Sequence, residues 1–544
     1  VTMISRSGTM SAHPLLPQAL QDDYRARGLR EDTTLAEVVK HWAETTPERV
    51  AVHVASGTPI TYADLWAKAR RLAGHLVDRG VAPGEFVLAV QDNSWQGIVL
   101  AVAASIAGVA VAPLSSRVSP DLVLTIADRV HARVVIVQSR LLAQEAWTGP
   151  AQQLRDRVGA DSFIIQGGDG GGGGEDPTLE ALSDTGAGID QRAWDPGRPC
   201  LVLSTGGTTG VPKSVMHNEQ TLIYSARHFA KATGYSADDV HVAFGPYGHA
   251  SGSLFEVYMP LLYGASVIPT RWKVQAVAEL IQEFGGTFCI TVGTHLFDLV
   301  RLPAGAEAQL ASMRLMTSHA GDDSLYRETE ERYGIPVLRV YGLSECMGHA
   351  ISRIDDPEAI RHTKDGVPFD GIDFRIVDGD GNVLPAGQVG EYECRGPSSF
   401  LGYLGQPEVT AAALTRDGYY KTGDLLVYSA ADGNIRWSGR MKEIIRRGGI
   451  QIDPIEMATT LTEMPGAEEV AVVSAPDQRL GELAVVVMVS SQRPTIEEVR
   501  SYLSERGQPK ETLPDRVLFM DALPRTEFGK HHRNALKAWV AQQG

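Results

Sequence analysis

The chain predicts an α/β architecture, with a large N-terminal domain of several subdomains followed by a small α+β domain. Three observations carry that prediction. Apolar runs at 86–91, 110–112, 133–138 and 200–203 alternate with helical patterns, as expected of a parallel sheet covered on both faces. Residues 370–403 are rich in Gly, Val and Pro in short alternating runs, which read as β-structure of barrel-like character inside the larger domain. The remainder, 450–544, alternates strand and helix over the length of a small domain.

Taken in order, residues 1–15 are polar and predicted to be disordered, and they lack the apolar core of a secretory signal. Residues 34–46 and 61–79 read as amphipathic helices, the second opened by a capping start at Thr61-Tyr62-Ala63-Asp64. Between Asn93 and Ser116 there is no charged residue, a run long enough to raise a membrane span. Gly108 and Pro113 interrupt it, so a buried helix at 95–107 followed by a short strand is the better reading. Residues 167–174 are almost all glycine and cannot bury apolar surface, so a disordered surface loop is expected there. Further helices are expected at 221–233, 495–506 and 533–540, and further strands at 337–340, 435–438, 470–474, 484–490 and 516–520.

Composition narrows the function. Hydrophobic content of 43% suffices for sizeable cores, and a net charge of −16 disfavours a general nucleic-acid role. An anionic ligand would therefore need a local pocket lined by N–H groups or cations. The four cysteines, Cys200, Cys289, Cys346 and Cys394, are scattered without metal spacing, which suits a reducing cytoplasm.

The chain is organised around residues 200–214. An apolar strand there runs into Ser204, Thr205, Gly206, Gly207, Thr208, Thr209 and Gly210, followed by Pro212 and Lys213. Glycines allow close backbone approach, and successive N–H groups form an anion cradle. Hydroxyls and one ammonium suit a polyphosphate. It is not a Walker A loop, because Pro212 stands where that motif has its second glycine before the lysine. From the loop alone, a surface turn remains the competing reading.

Further blocks follow in sequence: Phe244–Gly252, with Pro246, His249 and Gly252; Ser318-His319-Ala320-Gly321-Asp322; Tyr341-Gly342-Leu343-Ser344-Glu345; the segment ending Thr422-Gly423-Asp424; Gly439-Arg440-Met441-Lys442 through Gly448-Gly449; and Phe528-Gly529-Lys530. Together these blocks resemble the adenylate-forming superfamily of acyl-CoA synthetases, peptide-synthetase adenylation domains and luciferases, over nearly the whole chain. The resemblance implies an N-terminal adenylation domain at 16–438, a hinge at 439–449 and a mobile C-terminal domain at 450–544.

The roles that follow are those the resemblance implies. The 204–210 loop and Lys213 would hold ATP phosphates. Ala320, Gly321, Tyr341 and Gly342 would back the adenine and the acyl group, and Ser344 would meet the α-phosphate. Glu345, with Thr208, would hold Mg²⁺. Asp424 and Arg440 would contact the ribose, Lys442 would be the pivot, Gly448 and Gly449 would form the turn after it, and Lys530 would be the adenylation lysine. His249 would line the acyl pocket and gate the path of the thiol. His319 and Asp322 depart from the family pattern, which points to an altered acyl pocket, and His531 stands where Ile is common.

The implied chemistry has two steps: a carboxylate attacks the α-phosphate of ATP, and a thiol then displaces AMP. Coenzyme A is the expected thiol, with a carrier-protein phosphopantetheine as the alternative. A bulky alicyclic, aromatic or terpenoid acid is expected, in specialised metabolism. A second copy of the chain is a further candidate partner; nucleic acid and integral membrane are not. A non-catalytic nucleotide sensor is the reading from a different class, against which the joint presence of Lys213, Glu345, Asp424, Arg440 and Lys530 argues.

Overall fold

A computed structural model describes residues 14–55, 57–167, 176–193, 195–205, 213–319, 323–441, 443–448, 450–525 and 531–543. The N-terminal segment 1–13 and most of the glycine run, where disorder was expected, lie outside the described residues. The chain divides into two units: 1–373 with 394–420, and 374–393 with 421–544.

Among the described residues, the first unit holds two large sheets. One has six strands in the order Phe163–Gln166, Val134–Gln138, Phe86–Val90, Ala110–Leu114, Pro199–Thr205, Lys213–Asn218. Its pairs are parallel except the last, which is antiparallel. The other has nine strands, with a parallel centre formed by Val337–Leu343, Leu315–His319, Phe288–Val292, Val240–Ala243 and Ser266–Pro269. Antiparallel additions close its edges, including Met347–Ile351 beside Val337–Leu343.

Local chemistry explains the helix boundaries. Thr34 and Thr61 cap the helices Leu35–Thr45 and Tyr62–Asp78 through full capping boxes with Glu37 and Asp64. The uncharged run forms the buried helix Trp95–Ala107, capped by the Ser94 side chain and ended by Gly108 in the left-handed region. The following strand runs two residues beyond expectation, to Leu114, because Pro113 keeps extended geometry and still pairs with Ala89. Helix Glu219–Thr233 starts earlier than 221, because the Asn218 side chain accepts the Thr221 N–H. No described helix is long and apolar enough to cross a membrane.

Most of a four-stranded sheet, Asp373–Val377, Val389–Arg395, Tyr420–Tyr428 and Ile435–Arg440, lies in the second unit, with Asp373, Cys394, Arg395 and Tyr420 counted in the first, so residues 370–403 are only partly strand. The second unit also holds a five-stranded sheet built on the long antiparallel pair Ala467–Asp477 and Gly481–Ser490, with Arg516–Phe519 added in parallel. Helices Pro454–Thr462, Ile496–Glu505 and Arg533–Gln542 complete the α+β unit expected from the sequence.

Candidate active site

In the first unit, the strands flanking the glycine-rich loop pair directly, with Ser204 opposite Ser214 and Thr205 opposite Lys213. Gly206, Gly207, Thr208, Thr209 and Gly210 lie outside the described residues, as do Ala320, Gly321, Lys442, Gly449 and Lys530. Lys213 emerges at the base of this hairpin. Its Nζ lies 3.2 Å from the Tyr403 hydroxyl and 4.6 Å from the centre of that ring. The contact combines a hydrogen bond with a cation–π attraction.

Tyr403 is where the segment after the β-rich region returns to the site. Met216 and Leu401 exchange backbone bonds with this stretch, with Met216 N–H donating to Gly402 and Leu401 N–H to Met216. Gly402 sits at φ 113°, a conformation glycine tolerates, and so aims Tyr403 back over Lys213. The Tyr403 hydroxyl donates to Glu345 Oε1 at 2.7 Å, and the Tyr420 hydroxyl lies 3.4 Å from it. Burial first, and the Glu345 carboxylate next, push the Tyr403 phenol well above its ordinary range, so it stays a donor.

Ser344 and Glu345 are the two central residues of a tight turn closed by the Cys346 N–H on the Leu343 carbonyl at 3.1 Å. Gly342 precedes the turn, where a Cβ would lie 2.5 Å from the Met347 carbonyl oxygen, so the hairpin can close only on glycine. Met347 itself takes φ 56°, a left-handed conformation unusual for a non-glycine residue. The turn is held from behind: His217 Nε2 donates to the Ser344 carbonyl at 2.7 Å. His217 is fully buried, and burial lowers its pKa to about 4, so its ring is neutral with the proton on Nε2. Tyr341 is buried one strand position ahead of Gly342, with its ring edge-on to His349 at 5.2 Å.

His249 lies on the 244–252 block, its Nδ1 accepting the Ser251 N–H at 3.3 Å and lying 2.8 Å from the Ser251 hydroxyl. A Cβ on Gly252 would lie 1.9 Å from the Pro246 carbonyl oxygen, which accounts for glycine at that position. A π-helical stretch, Gly252–Tyr258, follows. Within it the buried Glu256 accepts the Gly245 N–H at 3.0 Å and so fixes the start of the block. His319 packs its ring 6.1 Å from that of Phe255.

In the second unit, Asp424 and Arg440 face one another across paired strands, and Arg440 Nε donates to Asp424 Oδ1 at 2.7 Å. The Asp424 side chain is 4% exposed, while half of Arg440 remains open to solvent. Gly448 takes φ 57° and donates its N–H to Leu480 at 2.7 Å. Arg525 and His531, which bracket residues 526–530, form a β-bridge with each other. Both meet Glu469, Arg525 at 2.7 Å and His531 at 3.4 Å. These two partners, His531 foremost, hold the Glu469 carboxyl below its ordinary range.

Of the residues expected from the sequence, Lys213, Tyr341, Gly342, Ser344 and Glu345 are among those described, and the structure brings Lys213 and Glu345 onto one phenol. Sequence reasoning missed Tyr403, His217 and Glu469. Gly402-Tyr403 offered a signal, an aromatic after a glycine at the close of a β-rich stretch. His217 and Glu469 offered none, since each acts on a residue far away in the chain.

The AMP-binding enzyme family model matches residues 39–404, and the AMP-binding enzyme C-terminal domain model matches residues 456–530. A medium-chain fatty-acid–CoA ligase of Escherichia coli is 30% identical over 537 residues, covering 94% of this chain and 92% of its own. A salicyl-AMP ligase/salicyl-S-ArCP synthetase of Mycobacterium tuberculosis is 29% identical over 558 residues, covering 98% and 95%. Among solved structures, ATP-bound MatB from Rhodopseudomonas palustris superposes with a TM-score of 0.83 at 26% identity, covering 94% of this chain and 100% of that one. The chain belongs to the AMP-binding enzyme family, the adenylate-forming superfamily of acyl-CoA synthetases, and is an AMP-forming acid–thiol ligase.

Proposed function

We propose that the protein activates a bulky alicyclic, aromatic or terpenoid carboxylic acid as its acyl-adenylate and transfers the acyl group to coenzyme A. The observation that supports the adenylation step of this reading is the Lys213–Tyr403–Glu345 chain, in which one phenol joins a cation to a buried carboxylate. Lys213 and the N–H groups of the adjoining loop would neutralise ATP phosphates. The Glu345 carboxylate and the Thr208 hydroxyl are oxygen donors, which fit Mg²⁺. The ion would supply charge neutralisation on the phosphates.

Glu345 would be oriented by Tyr403, and the Ser344 hydroxyl would meet the α-phosphate on a turn fixed by His217. Tyr341 and Gly342, with Ala320 and Gly321, would border the adenine. Asp424 would take the ribose hydroxyls, with Arg440 beside it. The attacking carboxylate is ionised at neutral pH, so no base is needed, and positioning with charge stabilisation lowers the barrier.

Lys530 would meet the α-phosphate during adenylation and leave for thiol entry, by rotation of residues 450–544 about Lys442 in the 439–449 hinge, with 16–438 as the body. Gly448 and Gly449 would border the thiol path, and His249 would line the acyl pocket. Burial of all four cysteines fits a reducing, cytoplasmic setting.

The test is ATP–pyrophosphate exchange across a panel of carboxylic acids, followed by mass spectrometry of products with coenzyme A. Acid-dependent exchange with a matching acyl-CoA is the expected result. Exchange with no acyl-CoA, but with loading of a phosphopantetheine carrier protein, would transfer the reading to the carrier-protein alternative. Nucleotide binding with no exchange for any acid would leave only a sensor.

A further inference from the structure

The four cysteines are far apart in sequence, yet folding brings Cys346 Sγ to 3.4 Å from Cys394 Sγ. His349 joins them, and one ligand atom from each of the three residues lies within 4.8 Å of the others. All three side chains are buried and belong to the first unit. We propose that Cys346, His349 and Cys394 bind a thiophilic divalent cation of the zinc type, at a site separate from the nucleotide's Mg²⁺.

A buried thiol alone is unremarkable, since cysteine packs as a small hydrophobe. The His349 imidazole adds a nitrogen donor beside the two thiols. Its placement beside two sulfurs gives an N/S donor set, which selects soft cations and is unsuited to Mg²⁺. The spacing also fits: zinc–sulfur bonds of about 2.3 Å in a tetrahedral site separate two sulfurs by roughly 3.8 Å, close to the distance found. Three protein ligands leave one position open, as in sites that hold an exchangeable fourth ligand.

The backbone is arranged around this cluster. Left-handed Met347 reverses the chain between Cys346 and His349, so that residues three apart converge. A hydrogen bond between the His349 ring and the Cys346 backbone sets the ring's orientation, and the Tyr341 ring packs against it. Such outer contacts are typical of metal-ligating histidines. Cys394 lies near the end of the strand Val389–Arg395, within the first unit, which resumes at that residue.

The probe is Cd²⁺, added to the reduced, chelator-stripped full-length protein and followed by thiolate-to-cadmium charge-transfer absorption. Saturation at one equivalent is expected, with the band retained under excess Mg²⁺ and ATP. The C346S/C394S double variant should lose the band, and H349Q should bind more weakly by at least the roughly 10–100-fold that loss of an outer-shell partner costs. Absence of the band in the folded wild type would overturn the site, as would an undiminished band in the double variant, which retains Cys200 and Cys289. Displacement by Mg²⁺ would overturn its separateness. Should the double variant fail to fold, cadmium NMR of the wild type decides: a shift typical of mixed sulfur–nitrogen ligation supports the site, and an oxygen-only shift overturns it.

Discussion

The Tyr403 hydroxyl donates to Glu345 at 2.7 Å while its oxygen lies 3.2 Å from the Lys213 ammonium. Tyr403→Phe keeps the ring under Lys213 but removes both polar contacts. Hydrogen bonds to charged groups contribute about 1.5–3 kcal/mol, so pyrophosphate exchange should slow roughly 10–100-fold with little change in melting temperature. An exchange rate within about twofold of wild type would mean that Tyr403 does not orient Glu345.

Lys530→Ala should block adenylate formation by ~10²–10³ and spare thioester formation from a supplied acyl-adenylate. Equal slowing of both half-reactions would show that Lys530 does not act in one conformation alone.

Lys442→Pro fixes φ near about −65° and removes an N–H. Pyrophosphate exchange should survive in this variant while transfer to coenzyme A fails. A folded variant, with an unchanged melting temperature, that completes the overall reaction at the wild-type rate would refute Lys442 as the pivot.

Glu469 joins Arg525 and His531, the two residues bracketing the segment that carries Lys530. Glu469→Gln keeps the shape but removes the charge that holds both. Adenylation should fall several-fold, whereas thioester formation from supplied acyl-adenylate should hold. A loss confined to the second half-reaction would contradict this anchoring role.

Two buried groups give opposing pH dependences. His217 titrates at about 4 in the fold against 6.5 in an open chain, so the unfolded state binds its proton preferentially between those values. Its share of stability is complete above the upper value and is lost on acidification. Glu219 is buried against Ser105 and the Leu35 N–H, and burial raises its pKa from 4.5 to about 7. It gains stability as the pH falls through that window. Glu219→Gln removes this offset, so the melting temperature should drop further between about pH 7 and pH 5 than in wild type. An equal or smaller drop would refute the opposition.

Legibility in the sequence followed the range of the interactions. The Thr61–Asp64 cap and the buried helix Trp95–Ala107 depend on neighbours within four residues, and both were readable. Lys213, Ser344 and Glu345 stood out as candidates because they sit in compact blocks whose resemblance is specific. Tyr403, 58 residues from the carboxylate it serves, was not, because its role arises from a chain return visible only in three dimensions. His531, read as a departure from the family pattern, gains a physical reason only beside Glu469. The cysteines read as scattered for the same cause: Cys346 and Cys394 meet only after folding.

The antiparallel pairing of Thr205 with Lys213 means that the chain leaves residues 206–212 as a strand, with the next helix beginning only at Glu219. A strand carries almost no net dipole, whereas a helix N-terminus offers about half a positive charge to a bound anion. On the proposed function, a triphosphate at this loop would therefore not draw on the field that a strand–loop–helix site supplies without any side chain. Its attraction would come from the Lys213 ammonium and local amides. Nucleotide affinity should accordingly be more sensitive to ionic strength here than at helix-capped phosphate loops.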